Sequence, residues 1–203
     1  MKPLAQCRLY TFIDTEYLRG RAPSAIALEL CAGGSDLIQL RAKKSTRTEI
    51  LRMAREILPI VHDAGVGLVI NDHGDVAGEV GADLCHLGQE DFAAAKPPTT
   101  PFGLSTHSPP QALRAIDAGP AYIAVGPVYA TATKPGARPV TLDYVRWAAA
   151  NVRVPWFAIG GINLSNLDEV VLAGAQRVCA VSAILNAPDI AEVCRQFRKR
   201  LPS

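Results

Sequence analysis

The stretch QLRAK (residues 39–43) alternates two kinds of side chain: Gln39, Arg41 and Lys43 fall on one parity, Leu40 and Ala42 on the other. In an extended chain that alternation sets the three polar groups on one face. Arg41 and Lys43 side by side repel each other unless an anion sits between them, and burying unpaired charge is costly. Arginine grips phosphate with a bidentate fork while lysine adds a point charge, so the stretch reads as an anion subsite. The bland alternative, a solvated flank of an edge strand, requires a sheet that has an edge. A second place, YIAVGPVYATATK (122–134), ends an apolar run with Thr131, Thr133 and Lys134, which a strand that only fills a core does not need.

Acids accompany these cations. Asp72 closes the run IND, and Asp91 closes HLGQED. Each could cap the short helix that follows it. Together, opposite Arg41, Lys43 and Lys134, they suit a Mg²⁺ ion held by one or two carboxylates plus phosphate oxygens. Gly160-Gly161 lets backbone amides approach a ligand, and Val181-Ser182 opens a weak helix, which together make a second anion subsite. His86 and His107 match no zinc spacing. Two separated anionic subsites imply two phosphorylated substrates, or one substrate with phosphate at both ends.

What positions these residues is a hidden repeat. Five places share one grammar, a helical stretch, then glycine, then an apolar strand: CAGGSDLIQLR, DAGVGLVIND, EVGADLCHLG, DAGPAYIAVG and LAGAQRVCAVS. Gly33, Gly65, Gly81, Gly119 and Gly174 fall where a helix ends in a left-handed residue. Two further strands are entered through proline (PFGLST and PWFAIGG), and CRLYTFID is the first. The five strands after these glycines are apolar on both parities, and amphipathic helical stretches lie between most of the eight, which predicts a single (β/α)₈ TIM barrel of parallel strands over residues 1–203. An open doubly wound sheet is the alternative, and no GxGxxG fingerprint supports it. In the barrel every polar group above lies at a strand's carboxyl end, where such folds build their sites. The helices after strands three and four have room only for a few residues.

Composition sets the outer bounds. The chain has 203 residues, 49% hydrophobic and 20% charged, which is enough to bury a core. A net charge of +2 advertises no nucleic-acid partner. No apolar run approaches the ~18 residues of a membrane span, and the first residues lack the pattern of a signal peptide. Five cysteines without a CxxC read as reduced thiols packed as small hydrophobes. A cytoplasmic protein without a membrane partner is expected, and assembly into a homo-oligomer stays open.

The order and spacing of QLRAK, IND, HLGQED, GLSTHS, GPVYATATK, AIGGI and AVSAI resemble the thiamine-phosphate synthase (thiamine-phosphate pyrophosphorylase) family along nearly the whole chain. The resemblance implies a (β/α)₈ barrel that joins hydroxymethylpyrimidine diphosphate to a thiazole phosphate, giving thiamine phosphate and pyrophosphate. It places Gln39, Leu40, Arg41, Ala42, Lys43, Asn71, Ser105 and Lys134 at the pyrimidine diphosphate and Mg²⁺ on Asp72 and Asp91. It places Thr131, Ala132, Thr133, Gly161, Val181 and Ser182 at the thiazole phosphate. Ser105, Lys134, Arg41 and Lys43 would then assist departure of the pyrophosphate.

The chain departs from that pattern in three places. His73 follows IND where arginine or another polar residue is usual, Val181 replaces isoleucine, and PGARPVTLD lacks a glycine expected near the helix start. Within the same fold, thiazole tautomerases are the rival. The branch in view carries histidine where this chain has Pro127, and it is expected to lack the metal acids. A non-catalytic thiamine-precursor binding protein is a further alternative. It would have no use for groups that activate a leaving group.

Overall fold

A computed structural model describes residues 1–94, 98–131, 133, 136 and 138–202. Eight parallel strands, β1 (Leu9–Asp14), β2 (Leu37–Arg41), β3 (Gly67–Asn71), β4 (Leu84–Leu87), β5 (Phe102–Thr106), β6 (Tyr122–Val125), β7 (Trp156–Ala158) and β8 (Val178–Cys179), pair in chain order. β8 returns to β1 through Leu9↔Val178, so the barrel closes and no strand is an edge. The open-sheet alternative is thereby excluded.

Around the strands lie α1 (Pro23–Ala32), α2 (Arg47–Asp63), α3 (Gly74–Val80), α4 (Gln89–Ala94) and α5 (Pro109–Asp117). α6 (Thr141–Asn151), α7 (Leu167–Leu172), α8 (Ser182–Leu185) and α9 (Ile190–Arg200) complete the ring. α2 shows why such segments fold as they do. Thr46 accepts from the Glu49 amide while the Glu49 carboxylate accepts from the Thr46 amide, a reciprocal cap. Behind it Ile50, Met53, Ala54, Ile57 and Val61 recur at helical spacing and are buried against the strands. α3 and α4, after strands three and four, are brief, as their short segments require.

Alternation along each strand sorts side chains into two layers. Leu37, Val69, Leu84, Tyr122 and Phe157 point into the barrel with Tyr10, Phe12 and Cys179. Their neighbours Ile38, Leu68, Ile70, Cys85, Ile123 and Val178 pack outward under the helices. Four of the five expected left-handed glycines have positive φ: Gly65, Gly81, Gly119 and Gly174. Gly33 does not. It has φ −80°, and Gly34 takes the left-handed place at 83°. A β-carbon on Gly33 would overlap Cys194 of α9, so close helix approach is what demands the missing side chain there.

Candidate active site

The carboxyl ends of the strands surround a cavity of about 460 Å³, a size that suits a small-molecule ligand. Gln39, Arg41, Lys43, Asn71, Asp72 and Asp91 line it, with Ser105 from β5. Thr131, Thr133, Gly161, Val181 and Ser182 line it elsewhere. Leu40 and Ala42 have the opposite parity, and their side chains are buried in the outer layer rather than the cavity. Ala132 and Lys134 lie outside the described residues.

Arg41 and Lys43 each have a carboxylate partner, and this corrects the expectation of two neighbouring cations with only a ligand between them. Arg41 Nη1 donates to Asp14 Oδ2 at 2.6 Å, and the Asp14 side chain is 1% exposed. The β1–β2 register sets Asp14 directly beside Arg41. Arg41 Nη2 also reaches the Thr133 carbonyl at 3.4 Å, linking strand two to the loop after strand six. Lys43 Nζ lies 3.2 Å from Asp72 Oδ2 and is half exposed. Asp14 is a residue that sequence reasoning missed. It stands at the carboxyl end of the first strand, YTFID, the one strand exit left unexamined.

Neither acid proposed for the metal is a helix cap. His73 occupies the N-cap position of α3, and Asp91 lies within the first turn of α4. Asp72 has φ 62°, a left-handed conformation that aspartate tolerates better than most residues. Its amide donates to the His86 carbonyl at 2.8 Å, extending the β3–β4 pairing by one bond. Its carboxylate accepts from Asn71 Nδ2 at 2.5 Å. Beside Asp91, a β-carbon on Gly88 would stand 2.8 Å from Oδ2, so the bare glycine leaves that carboxylate its place.

In the loop after β6, the Thr131 and Thr133 hydroxyls lie 2.6 Å apart, and both residues line the cavity. Gly160 and Gly161, at φ 103° and 66°, run against the loop after β6. A β-carbon on Gly160 would overlap Pro127, and one on Gly161 would sit 2.7 Å from the Ala130 carbonyl. The Val128 and Tyr129 amides donate to the Ile159 and Gly160 carbonyls at 2.8 and 3.0 Å. The two strand exits are thus laced together, and the glycines are required by that close approach.

His86 lines the cavity, with Nε2 at 2.9 Å from Ser105 Oγ and Nδ1 at 2.8 Å from the Tyr122 hydroxyl. Gln89 Nε2 donates to the Ser105 carbonyl at 2.7 Å, holding the strand-five exit from the other side. Burial pushes the Cys179 thiol, which also lines the cavity, well above its ordinary range, so it is a poor nucleophile. Among the described residues no helix is long and apolar enough to cross a membrane.

The model of the thiamine monophosphate synthase family matches residues 9–184. The chain is 47% identical to the thiamine-phosphate synthase of Thermus thermophilus over 174 residues, 84% of each chain. It is 42% identical to that of Acidothermus cellulolyticus over 205 residues, covering 98% of this chain and 96% of the relative. Among solved structures, the thiamine phosphate pyrophosphorylase from Pyrococcus furiosus superposes with a TM-score of 0.86 at 27% identity, covering 98% of this chain and 97% of the other.

Proposed function

This chain belongs to the thiamine monophosphate synthase family and is a transferase of thiamine biosynthesis acting on phosphorylated small molecules; from there we propose that it condenses 4-amino-2-methyl-5-hydroxymethylpyrimidine diphosphate with 4-methyl-5-(2-phosphooxyethyl)thiazole, giving thiamine phosphate and pyrophosphate. The observation that supports this most is that one cavity is lined by two kinds of anion-binding group. Arg41, Lys43 and two aspartates come from the exits of strands two to four, while threonine hydroxyls and glycine backbone come from the exits of strands six and seven. The cations suit a diphosphate, and the hydroxyls and glycine backbone suit a monophosphate.

In this reading the C–O bond between the pyrimidine methylene and the diphosphate breaks first. The electron pair leaves with pyrophosphate, and the ring stabilises the cation left behind. The thiazole nitrogen then supplies the pair for the new C–N bond. No strong base is needed. The demand is for charge stabilisation on the leaving group and for an aligned nucleophile. Arg41, held in place by Asp14, and Lys43 supply positive charge. Lys134 would add a third cation. Ser105 would donate a hydrogen bond, and Thr131, Thr133, Gly161, Val181 and Ser182 would seat the thiazole phosphate.

Asp72 and Asp91 fit a Mg²⁺ ion. Both are hard oxygen donors lining the same cavity, and Gly88 leaves room at Asp91. Among the described residues no group of three or more His, Cys, Asp or Glu is placed to hold a metal, so diphosphate oxygens and water would complete the shell. When bound, the ion would neutralise charge on the departing pyrophosphate. The test is formation of thiamine phosphate from the two precursors, with and without excess EDTA. Product that appears with Mg²⁺ and vanishes with EDTA supports the reading, while full turnover in EDTA refutes the Asp72–Asp91 assignment.

A further inference from the structure

At the wall of the cavity the barrel interior carries a chain of four polar links. Gln39 Nε2 donates to the Tyr10 hydroxyl at 2.5 Å. The Tyr10 and Tyr122 hydroxyls lie 2.8 Å apart, Tyr122 lies 2.8 Å from His86 Nδ1, and His86 Nε2 lies 2.9 Å from Ser105 Oγ. Gln39, Tyr10, Tyr122 and His86 are all buried. The rings are held by packing: Tyr10, Tyr122 and Phe157 meet edge to face. Gly103 is bare because a β-carbon there would overlap the Tyr122 ring.

Each phenol has one proton and a neutral imidazole has one N–H. The direction of one link therefore dictates the next. With Gln39 donating, the Tyr10 proton goes to Tyr122 and the Tyr122 proton to His86 Nδ1. The imidazole then carries its proton on Nε2 and donates to Ser105, whose own proton is left to point elsewhere, towards a ligand. Turning the Gln39 amide so that Oε1 faces Tyr10 reverses every link, and Ser105 then donates to His86 and can only accept from a ligand. Burial raises both phenols well above their ordinary range, so they stay protonated throughout.

We propose that Tyr10 and Tyr122 are positioning residues that couple the Gln39 amide to the Ser105 hydroxyl through the tautomer of His86. What a ligand offers to Gln39 then fixes whether Ser105 donates or accepts. The pair discriminates between heteroaromatic rings whose edges carry donors and acceptors in opposite order, because the wrong order leaves a buried group unpaired at one end. The assignment of that ring as the pyrimidine rests on the function proposed above. The coupling itself is a property of the protein alone.

The test is long-range ¹H–¹⁵N NMR of the full chain labelled at histidine, with the His86 signals identified by their loss in His86→Asn. The native protein is expected to show a bare Nδ1 and a protonated Nε2. Tyr10→Phe cuts the chain from Gln39, and a mixture of tautomers is expected. Gln39→Glu places an acceptor against Tyr10 and is expected to move a proton onto Nδ1 by pH 9. A His86 tautomer that is the same in the native protein, in Tyr10→Phe and in Gln39→Glu up to pH 9 overturns the proposal. If Tyr10→Phe loses its native circular dichroism, Gln39→Glu decides alone. Loss of the synthase reading with the tautomer shift intact would leave the coupling standing, and the converse would remove only the coupling.

Discussion

Asp14 and Arg41 face each other across the β1–β2 pairing, joined at 2.6 Å, with side chains only 1% and 17% exposed. The pair sits inside a barrel, so screening by solvent is weak. Removing one partner leaves the other's charge uncompensated. Asp14→Asn is predicted to destabilise the fold by about 3 kcal/mol, roughly 6–12 °C in Tm for a chain of this length. It should also raise KM for the diphosphate substrate, because Arg41 loses the group that orients it. Thermal melts beside steady-state kinetics check both. An unchanged Tm would contradict the structural role.

Lys43 offers the contrast. Its ion pair with Asp72 is half exposed on the lysine side, and such pairs contribute about 0–1 kcal/mol. Lys43→Ala should therefore shift Tm by no more than roughly 4 °C, while kcat/KM falls by about a hundredfold through lost leaving-group stabilisation. A large drop in Tm with normal turnover would reverse the assignment.

The barrel was legible because helix-ending glycines followed by short apolar strands recur along the chain, and a repeat is hard to misread. The inward parity of Gln39 and Arg41 followed from strand alternation alone, whereas β2 ends at Arg41 and Lys43 reaches the cavity from the turn beyond it. Asp14 was not legible as a partner, because strand register is a tertiary property: nothing local says that residue 14 will lie beside residue 41. The same holds for Tyr10, Tyr122 and His86, which nothing local in the sequence joins to one another. Only closure of the barrel brings strands one, four and six around one interior.

Thr141 opens α6 at φ 62°, where a β-branched residue is strained. The family resemblance leads to the expectation of a glycine near this helix start. Thr141→Gly removes the strain at the cost of a freer unfolded chain, for a net gain of about 1 kcal/mol, or roughly 2–4 °C in Tm. Thermal unfolding measures it directly. A fall in Tm would mean that the hydroxyl, 3.4 Å from the Asp143 amide, outweighs the strain.

Burial raises Cys7 and Cys31 from 9.0 to about 11, and Cys85 and Cys194 to about 12. Between those values the unfolded chain has released thiol protons that the folded chain still binds, so rising pH favours unfolding. Stability from this source is intact below pH 9 and is lost as pH climbs towards 11–12. Tm measured at pH 8 and pH 10.5 should fall by several degrees, and a flat profile would contradict the burial of these thiols.

The measurement that bears most directly on the central claim is pyrophosphate release with the pyrimidine diphosphate, the thiazole phosphate and Mg²⁺ present together, against controls lacking one substrate. Release that requires both substrates is the predicted result. It would make the cationic residues of the cavity the first to test as the leaving-group site. No release, with the diphosphate still bound by calorimetry, would contradict the synthase reading and leave a cavity that binds the precursor without joining it.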